Sequence, residues 1–294
     1  MNQTKKIAVT TDSNSGLLES EVQGQQIFVL PMPFLVSGEC YFENVNLSQM
    51  DFYRLLAEGA DVSTSQPSVG ELTEFWLSIL KEYDQIVHIP MSSGLSQSYA
   101  SAAALSKEFD GKVFVVDNHR ISVTQKESVL DAAKLRDAGK TAEEIKAHLE
   151  ETSGDSSIYI AVDTMKYLKK GGRVTPAAAM IGTILKIKPV LQIHGEKLDK
   201  YVLARNTLKA KEAMKEALKR DLTNEFAELV KAGEMAIYVA HTDNEAEAEK
   251  FAEELKTVFP NLPVRGCAAL PLSISCHIGP KALAVACARY IPED

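Results

Sequence analysis

The sequence predicts an α/β protein built from two domains. Strand-like and helix-like segments alternate along the first half, an order typical of a parallel sheet covered by helices on both faces. In the second half, two strand-like runs flank His194-Gly195-Glu196 and indicate a β-hairpin, so we expect a mixed sheet there. A polar stretch at 152–157 separates the halves, and we therefore predict domains at 1–155 and 156–294.

Turn residues and helix-capping patterns mark the elements of the first half. Ser68 is followed three residues later by Glu71, and Thr141 by Glu144, so both pairs fit a capping box at a helix start. Prolines break the second strand-like run after residue 30. The predicted strands are 7–11, 27–30, 86–89 and 113–116. The predicted helices are 48–57, 68–81, 96–109, 123–137 and 141–151.

The second half contains longer helical segments and ends on an apolar run at 282–288. The segment 207–231 is mostly helical in pattern, with a break expected near Asp221. The stretch 276–280 contains a glycine and a proline and is predicted to be a loop. The other predicted helices are 165–170 and 245–259. The predicted strands are 158–162, 189–193, 198–203, 236–240 and 264–268.

Composition excludes several classes of protein. The 294 residues are 45% hydrophobic, which permits a substantial core, and the formal net charge is 32 − 40 = −8. Because there is no basic tract, nucleic acid is not an expected partner, and the acidic balance disfavours docking on anionic membranes through bulk charge. No apolar stretch reaches the roughly 20 residues that a membrane-spanning helix needs.

The cysteines indicate a reducing compartment. They are Cys40, Cys267, Cys276 and Cys287. No C-x-x-C pair occurs, and Cys267, Cys276 and His277 match no zinc-binding spacing, so we expect no metal site. Reduced thiols fit a cytoplasmic protein.

Two loops rich in serine and threonine, 62–68 and 91–99, carry the strongest functional signal. Each precedes a predicted helix, and the second directly follows the strand 86–89. Ligands of α/β proteins bind at the carboxyl ends of strands, where helix-start amides and neutral hydroxyls can hold an anionic oxygen. We therefore predict a site for a carboxylate head group, although capped turns would also use such hydroxyls. The hydroxyl residues are Ser63, Thr64, Ser65, Ser92, Ser93 and Ser96.

The second loop also resembles the nucleophile elbow of serine hydrolases. Residues 94–98 nearly match G-x-S-x-G between a strand and a helix, but the fifth position is Ser98 rather than glycine. A hydrolase acting on acyl esters would use Ser96 as nucleophile and His277 as base. It would also need an orienting carboxylate, for which Asp117 and Asp163 are the candidates. The hydrolase hypothesis remains an alternative to a binding site.

Three further residues have both a functional and a structural interpretation. Gly171-Gly172-Arg173 lacks the P-loop lysine and the Rossmann spacing, so a helix C-cap with Arg173 anchoring the turn is preferred over a phosphate loop. His277 lies in the second half, where it would close over a site in the first. Arg205 follows the hairpin and by itself is an ordinary surface arginine.

Taken together, the motifs resemble those of the DegV family of bacterial fatty-acid-binding proteins over nearly the whole chain. None of them is specific alone, whereas their order and spacing are. The motifs are Thr10-Thr11-Asp12-Ser13, Thr64-Ser65-Gln66-Pro67-Ser68, Ser92-Ser93-Gly94-Leu95-Ser96, Leu168-Lys169-Lys170-Gly171-Gly172-Arg173, Ile187-Lys188-Pro189-Val190-Leu191 and His277-Ile278-Gly279-Pro280.

The resemblance implies an N-terminal three-layer α/β/α domain, a C-terminal two-layer α/β domain, and a long-chain fatty acid with a buried tail. It further implies a lipid-binding subunit without chemistry or cofactor of its own, which presents the carboxylate to an ATP-dependent fatty acid kinase. The resulting acyl phosphate would pass to an acyltransferase of phospholipid synthesis, with transient membrane contact. Thr64 and Ser96 would contact the carboxylate, with Ser65 and Ser93 beside them and His277 near the head group. Arg205 and Arg173 would contact the partner or a phosphate.

Two positions depart from the family pattern. Gln97 stands where a glycine is usual in Ser-Gly-Thr, and Lys281 where a glycine is usual in Gly-Pro-Gly. Both side chains would alter the geometry of the head-group site. A third reading, a binding module for another carboxylate or a phosphate ligand, also remains open.

Overall fold

Three β-sheets and the helices packed on them make up the described residues, 5–181 and 187–292, of a computed structural model. The strands are β1 (Ile7–Asp12), β2 (Ile27–Leu30), β3 (Pro33–Val36), β4 (Glu39–Phe42), β5 (Val62–Thr64), β6 (Gln85–Ile89), β7 (Val113–Val115), β8 (Ser156–Ala161), β9 (Lys188–Ile193), β10 (Asp199–Ala204), β11 (Met235–His241), β12 (Val264–Ala269) and β13 (Leu283–Arg289).

The helices connect these strands and cover the faces of the sheets. They are α1 (Glu19–Val22), α2 (Gln49–Ala57), α3 (Val69–Ile79), α4 (Ser98–Leu105), α5 (Val123–Asp137), α6 (Ala142–Glu151), α7 (Lys166–Gly171), α8 (Pro176–Ala179), α9 (Thr207–Thr223), α10 (Ala227–Ala232), α11 (Glu245–Val258) and α12 (Leu272–Ile278). No helix among the described residues is both long and apolar enough to cross a membrane.

The first sheet is parallel throughout, with strand order β2-β1-β6-β7. Helices α3 and α4 pack on one face around Trp76, and α5 and α6 pack on the other around Ile145. Every residue of β1 is buried, as expected for a strand covered on both sides. Ser68 and Thr141 form the predicted capping boxes at the starts of α3 and α6. The prediction of a parallel sheet between two helical layers is confirmed.

A small antiparallel sheet, ordered β4-β3-β5, was not predicted. Pro33 does not end regular structure but begins β3, a position where its missing N–H group costs little. Ser63 and Thr64 belong to β5 and pair with Leu35 and Phe34 of β3. The expectation that they lie in a loop at the carboxyl end of a parallel strand was therefore wrong, because β5 belongs to this separate sheet.

The third sheet has six strands in the order β10-β9-β8-β13-β11-β12. Only β11 and β12 pair in parallel, so the sheet is mixed, and β9 and β10 form the predicted hairpin. The break expected near Asp221 occurs between Thr223, where α9 ends, and Ala227, where α10 begins. The first strand of this sheet starts at Ser156. The limits 1–155 and 156–294 themselves stay a prediction.

The segment before β13 is a helix rather than a loop. Residues 276–278 form the last part of α12, and Gly279 ends it with a backbone conformation that favours glycine. The predicted loop was wrong because the glycine and proline act only after the helix. Leu272, Ile274 and Ile278 bury this short helix against its neighbours and stabilise it.

Candidate functional site

A cavity of about 340 Å3 lies between one face of the six-stranded sheet and the loops of the first domain. Its volume falls within the range of ligand-binding pockets. Its lining is mainly apolar and comes from β8, β9, β11 and β13, from α12, and from the segments that precede α4 and α5. Both halves of the chain therefore build one cavity.

Alternation along the strands determines which side chains border the cavity. Ile160 of β8 and Ala240 of β11 face it, while Tyr159 and Val239, one residue away, point to the opposite face and contact the layer of α9 and α11. The cavity is thus the inner side of a sheet whose outer side is packed by helices.

Small side chains leave the space open. Ala284 of β13 lies between Ile160 of β8 and Ala240 of β11, and the next row inward consists of Ile158, Ala286 and Tyr238. The middle strand has alanine in both rows, and these short side chains leave space above the centre of the sheet. The alanines carry no chemistry, so the sequence analysis did not single them out, although their alternation with larger residues along β13 was visible.

One end of the cavity is polar and open to solvent. Ser65 and Gln97 are exposed at this end, and Thr64 and Ser96 lie half-buried beside them. His277 of α12 completes the group. The structure thus brings together four of the five residues that we predicted to bind a carboxylate: Thr64, Ser65, Ser96 and His277.

A hydrogen bond links the two domains at this end. Thr64 Oγ1 lies 2.8 Å from His277 Nε2. Burial, with a smaller effect of the nearby Arg173 charge, lowers the pKa of His277 to about 4, so the imidazole is neutral at pH 7. His277 Nδ1 is buried without a partner among the described residues, which favours the tautomer with its proton on Nε2. His277 then donates to Thr64, and the threonine hydroxyl keeps its own proton for a ligand.

Gly171 positions His277, and its neighbour Gly172 ends α7. A Cβ at Gly171 would overlap the imidazole ring, so only glycine fits there. Gly172 ends α7 with a φ of 69°, and its amide donates to Leu168, which confirms the predicted helix C-cap. Gly279 is equally constrained, because a Cβ there would overlap the ring of Tyr167. The Gly-Gly and His-x-Gly motifs are therefore two halves of one packing contact.

Arg173 both anchors its turn and borders the cavity. Its Nε donates to the Leu95 carbonyl at 3.2 Å, and its Nη1 donates to the Gly171 carbonyl at 2.6 Å. These bonds hold a positive charge at the polar end, where it would attract an anionic ligand. The two interpretations of this arginine are thus compatible.

The serines of the second loop have different surroundings. Ser96 Oγ lies 2.8 Å from Ser98 Oγ and accepts a hydrogen bond from the Ser98 amide. Ser92 is buried and donates to the Gly195 carbonyl, so it fastens the β9–β10 hairpin to the first domain. Ser93 does not border the cavity, and its amide faces Asp117 Oδ1 at 3.4 Å. The structure therefore does not bring Ser93 to the other predicted site residues.

Arg205 lies apart from the cavity. It is exposed between β10 and Asn206, the residue that caps the start of α9. It does not border the cavity, so a contact with a partner rather than with the ligand is the role still open to it.

The arrangement does not resemble a hydrolase. The Ser96 hydroxyl is hydrogen-bonded to Ser98, and His277 is hydrogen-bonded to Thr64. Asp117 Oδ2 lies 3.7 Å from His119 Nε2. No bond within the described ranges joins these groups into a nucleophile, base and orienting acid. The same ranges contain no cluster of three metal-ligating side chains.

The sequence analysis missed several polar residues in the cavity wall, among them Asn14 and Ser273. Ser273 of α12 donates to Asn14 Oδ1 at 2.6 Å, and both residues border the cavity. Asn14 lies in the turn after β1, and its neighbour Asp12 caps that turn by accepting from the Asn14 amide. The Thr10-Thr11-Asp12-Ser13 motif contained this signal, since it leads directly into the wall.

Comparison with known proteins places these features in a family. The model described as "Uncharacterised protein, DegV family" matches residues 6–289. Protein DegV of Bacillus subtilis is 30% identical over 282 residues, covering 95% of this chain and 98% of that protein. The crystal structure of that DegV, a fatty acid binding protein, superposes with a TM-score of 0.84, covering 97% of this chain and 99% of the other. A fatty-acid-binding DegV family protein from Thermus thermophilus is 27% identical, with a TM-score of 0.85 over 97% of this chain and 99% of that one.

Proposed function

The chain belongs to the DegV family, and from this premise we propose that it binds a long-chain fatty acid. The acyl tail occupies the cavity bordered by the alanines of β11 and β13. The carboxylate accepts hydrogen bonds from Thr64 and Ser96 at the polar end, with Ser65 and His277 beside them. The observation that carries the proposal is a mainly apolar cavity that ends in hydroxyls and a neutral histidine. Solved structures of similar fold from Bacillus subtilis and Thermus thermophilus are fatty-acid-binding proteins.

The energetics favour a ligand held mostly by its tail. Burial of about 14 methylenes at roughly 0.8 kcal/mol each gives on the order of 11 kcal/mol before the costs of association. A hydrogen bond to a charged group adds only about 1.5–3 kcal/mol. The hydroxyls therefore mainly orient the carboxylate and prevent its burial without partners. Affinity comes from the cavity, and orientation comes from Thr64 and Ser96.

The polar end suits presentation of the carboxylate to a second protein. The hydroxyls of Thr64 and Ser96 are neutral donors that leave carboxylate electron density available for phosphoryl transfer, whereas a lysine in their place would neutralise it by a direct ion pair. The Arg173 guanidinium already uses Nε and Nη1 in hydrogen bonds to the Leu95 and Gly171 carbonyls. The exposure of Ser65 and Gln97 leaves this end accessible. We therefore propose a cytoplasmic subunit without chemistry of its own, whose partner kinase forms an acyl phosphate for an acyltransferase of phospholipid synthesis.

Arg205 is assigned to the contact with that kinase, with Arg173 nearer the phosphate. Because Arg205 is exposed and does not border the cavity, Arg205→Ala should retain the lipid but support phosphorylation poorly. Loss of lipid from this variant would contradict a partner role.

The fatty-acid proposal is tested by native mass spectrometry of the purified protein followed by analysis of the extracted lipid. We expect a bound mass of fatty-acid size in the wild type. Thr64→Ala combined with Ser96→Ala should lower retention without changing the unfolding transition. Unchanged retention would remove the head-group assignment, and a bare protein that cleaves acyl esters would favour the hydrolase.

A further inference from the structure

The inner end of the cavity is closed by a tyrosine that is held from both domains. The ring of Tyr238 on β11 borders the cavity beside Ala286, one row further from the polar end than Ala240. Its hydroxyl donates to Glu127 Oε2 of α5 at 2.6 Å. Burial and the Glu127 charge raise the pKa of Tyr238, so the phenol stays protonated and remains a donor.

An ion pair holds the acceptor in place. Glu127 is only 2% exposed, and its other oxygen, Oε1, accepts from Arg265 Nη1 at 3.3 Å. The Arg265 guanidinium in turn lies over the Tyr290 ring, 4.0 Å from its centroid. A buried carboxylate that loses one of its two donors becomes costly to keep. Displacement of the Tyr238 ring is therefore opposed by more than its own packing.

Behind Tyr238 lies a second space. A groove of about 1090 Å3 runs along the outer edge of β12, and Tyr238 and Val123 are the two residues that border both this groove and the cavity. The groove is also bordered by apolar side chains, including Leu17, Leu130 and Ala268. Tyr238 and Val123 thus form the boundary between the cavity and the groove.

We infer that Tyr238 sets the longest acyl chain that the cavity accepts. A longer tail would have to move the ring and break the hydrogen bond to Glu127, placing hydrocarbon against the buried Glu127 carboxylate. The proposed fatty-acid binding is the basis of this inference, which adds a specificity-determining residue at the end opposite the carboxylate.

The test compares variants in competition binding with saturated fatty acids of increasing length. Tyr238→Ala should raise the longest accepted chain by about two to four carbons, since the ring occupies the volume of several methylenes. Tyr238→Phe keeps the ring but loses the hydrogen bond to Glu127, so it should raise the limit by less than Tyr238→Ala does. Tyr159→Phe, on the opposite face of the sheet, is the control for a general effect of losing a buried tyrosine hydroxyl and should leave the limit unchanged. An unchanged limit in Tyr238→Ala would overturn the inference.

A second variant covers the case in which Tyr238→Ala does not fold. Val123→Ala opens the same boundary without touching the Glu127 network and should shift the limit in the same direction by a smaller amount. If Tyr238→Ala does not fold, an unchanged limit in Val123→Ala overturns the inference. Wild-type protein that binds no fatty acid of any length would instead overturn the proposed function and this inference with it. The two failures are therefore distinguishable.

Discussion

The two faces of the six-stranded sheet differ although the same strands build both. On the outer face, α9 and α11 pack with Met214 and Phe251 against Tyr159 and Val239, and these four side chains are fully buried or nearly so. The inner face has alanines at the centre and borders a cavity.

The difference shows how one sheet serves two purposes. Close packing on the outer face supplies stability, because filled cores bury the most apolar surface. The inner face buries less apolar surface and contributes less stability, because small side chains there leave room for a ligand. These side chains are Ala240, Ala284 and Ala286. Since neighbouring residues on a strand point to opposite faces, the two properties are expected to be separable by substitutions one residue apart.

The largest expected effect is on the outer face. Phe251→Ala should lower the free energy of unfolding by about 3–5 kcal/mol, because Phe251 is fully buried among α9, α11 and the sheet. Chemical denaturation measures this loss, and folded protein should retain its lipid. A loss well under 1 kcal/mol would mean that the outer face is not the main stabilising layer.

The next effect is on the inner face. Ala284→Leu adds three carbons to a side chain that borders the cavity. It should weaken fatty-acid binding by about 2 kcal/mol, roughly thirtyfold, because the leucine displaces about three buried methylenes of the acyl tail. Val239→Ala, on the outer face, is the matched control and should lower stability by about 1–3 kcal/mol without changing affinity. If Ala284→Leu and Val239→Ala both changed only affinity, or both changed only stability, the two faces would not have separate roles.

A smaller effect tests the polar end of the inner face. Gly171→Ala should weaken binding about fivefold, because the displaced His277 no longer donates to Thr64 and a hydrogen bond of this kind is worth roughly 1 kcal/mol. Gly172→Ala should cost about 1 kcal/mol of stability through its positive φ but leave binding unchanged. If isothermal titration showed equal losses of affinity for Gly171→Ala and Gly172→Ala, Gly171 would not be the glycine whose missing Cβ makes room for His277.

The smallest effect is that of pH. Burial lowers the pKa of His277 from its ordinary 6.5 to about 4, so the unfolded chain takes up the proton first. The stability contribution of the neutral ring is complete above pH 6.5, the ordinary pKa, and is lost as the pH falls from 6.5 to about 4. His277→Gln should therefore flatten, by a few degrees, the fall in Tm on acidification. Parallel Tm profiles for variant and wild type would mean that His277 is not held neutral.

Much of the fold was predictable because local signals and tertiary packing agree. The capping residues Ser68 and Thr141, the hairpin around Gly195 and the largely buried strands of the first sheet all behave as their sequence patterns predict. The small antiparallel sheet was not predictable, since β3 begins at a proline and β5 has only three residues. Its strands form because pairing partners exist elsewhere in the chain.

The candidate site was predictable at its polar end and hidden at its apolar end. Thr64, Ser96 and His277 stand out by residue type, and the structure brings them to one place. Ala284 and Tyr238 are ordinary core residues in sequence, and their role depends on which face of the sheet they occupy. That choice is made by the register of β13 between β8 and β11, which no local pattern specifies.

A crystal structure of the complex with a long-chain fatty acid that carries bromine on its terminal carbon tests the central claim most directly. We predict the carboxylate within hydrogen-bond distance of Thr64 Oγ1 and Ser96, and the anomalous signal of the bromine beside Tyr238 and Ala286. Bromine at the Thr64 end, or a ligand outside the cavity, would contradict the account.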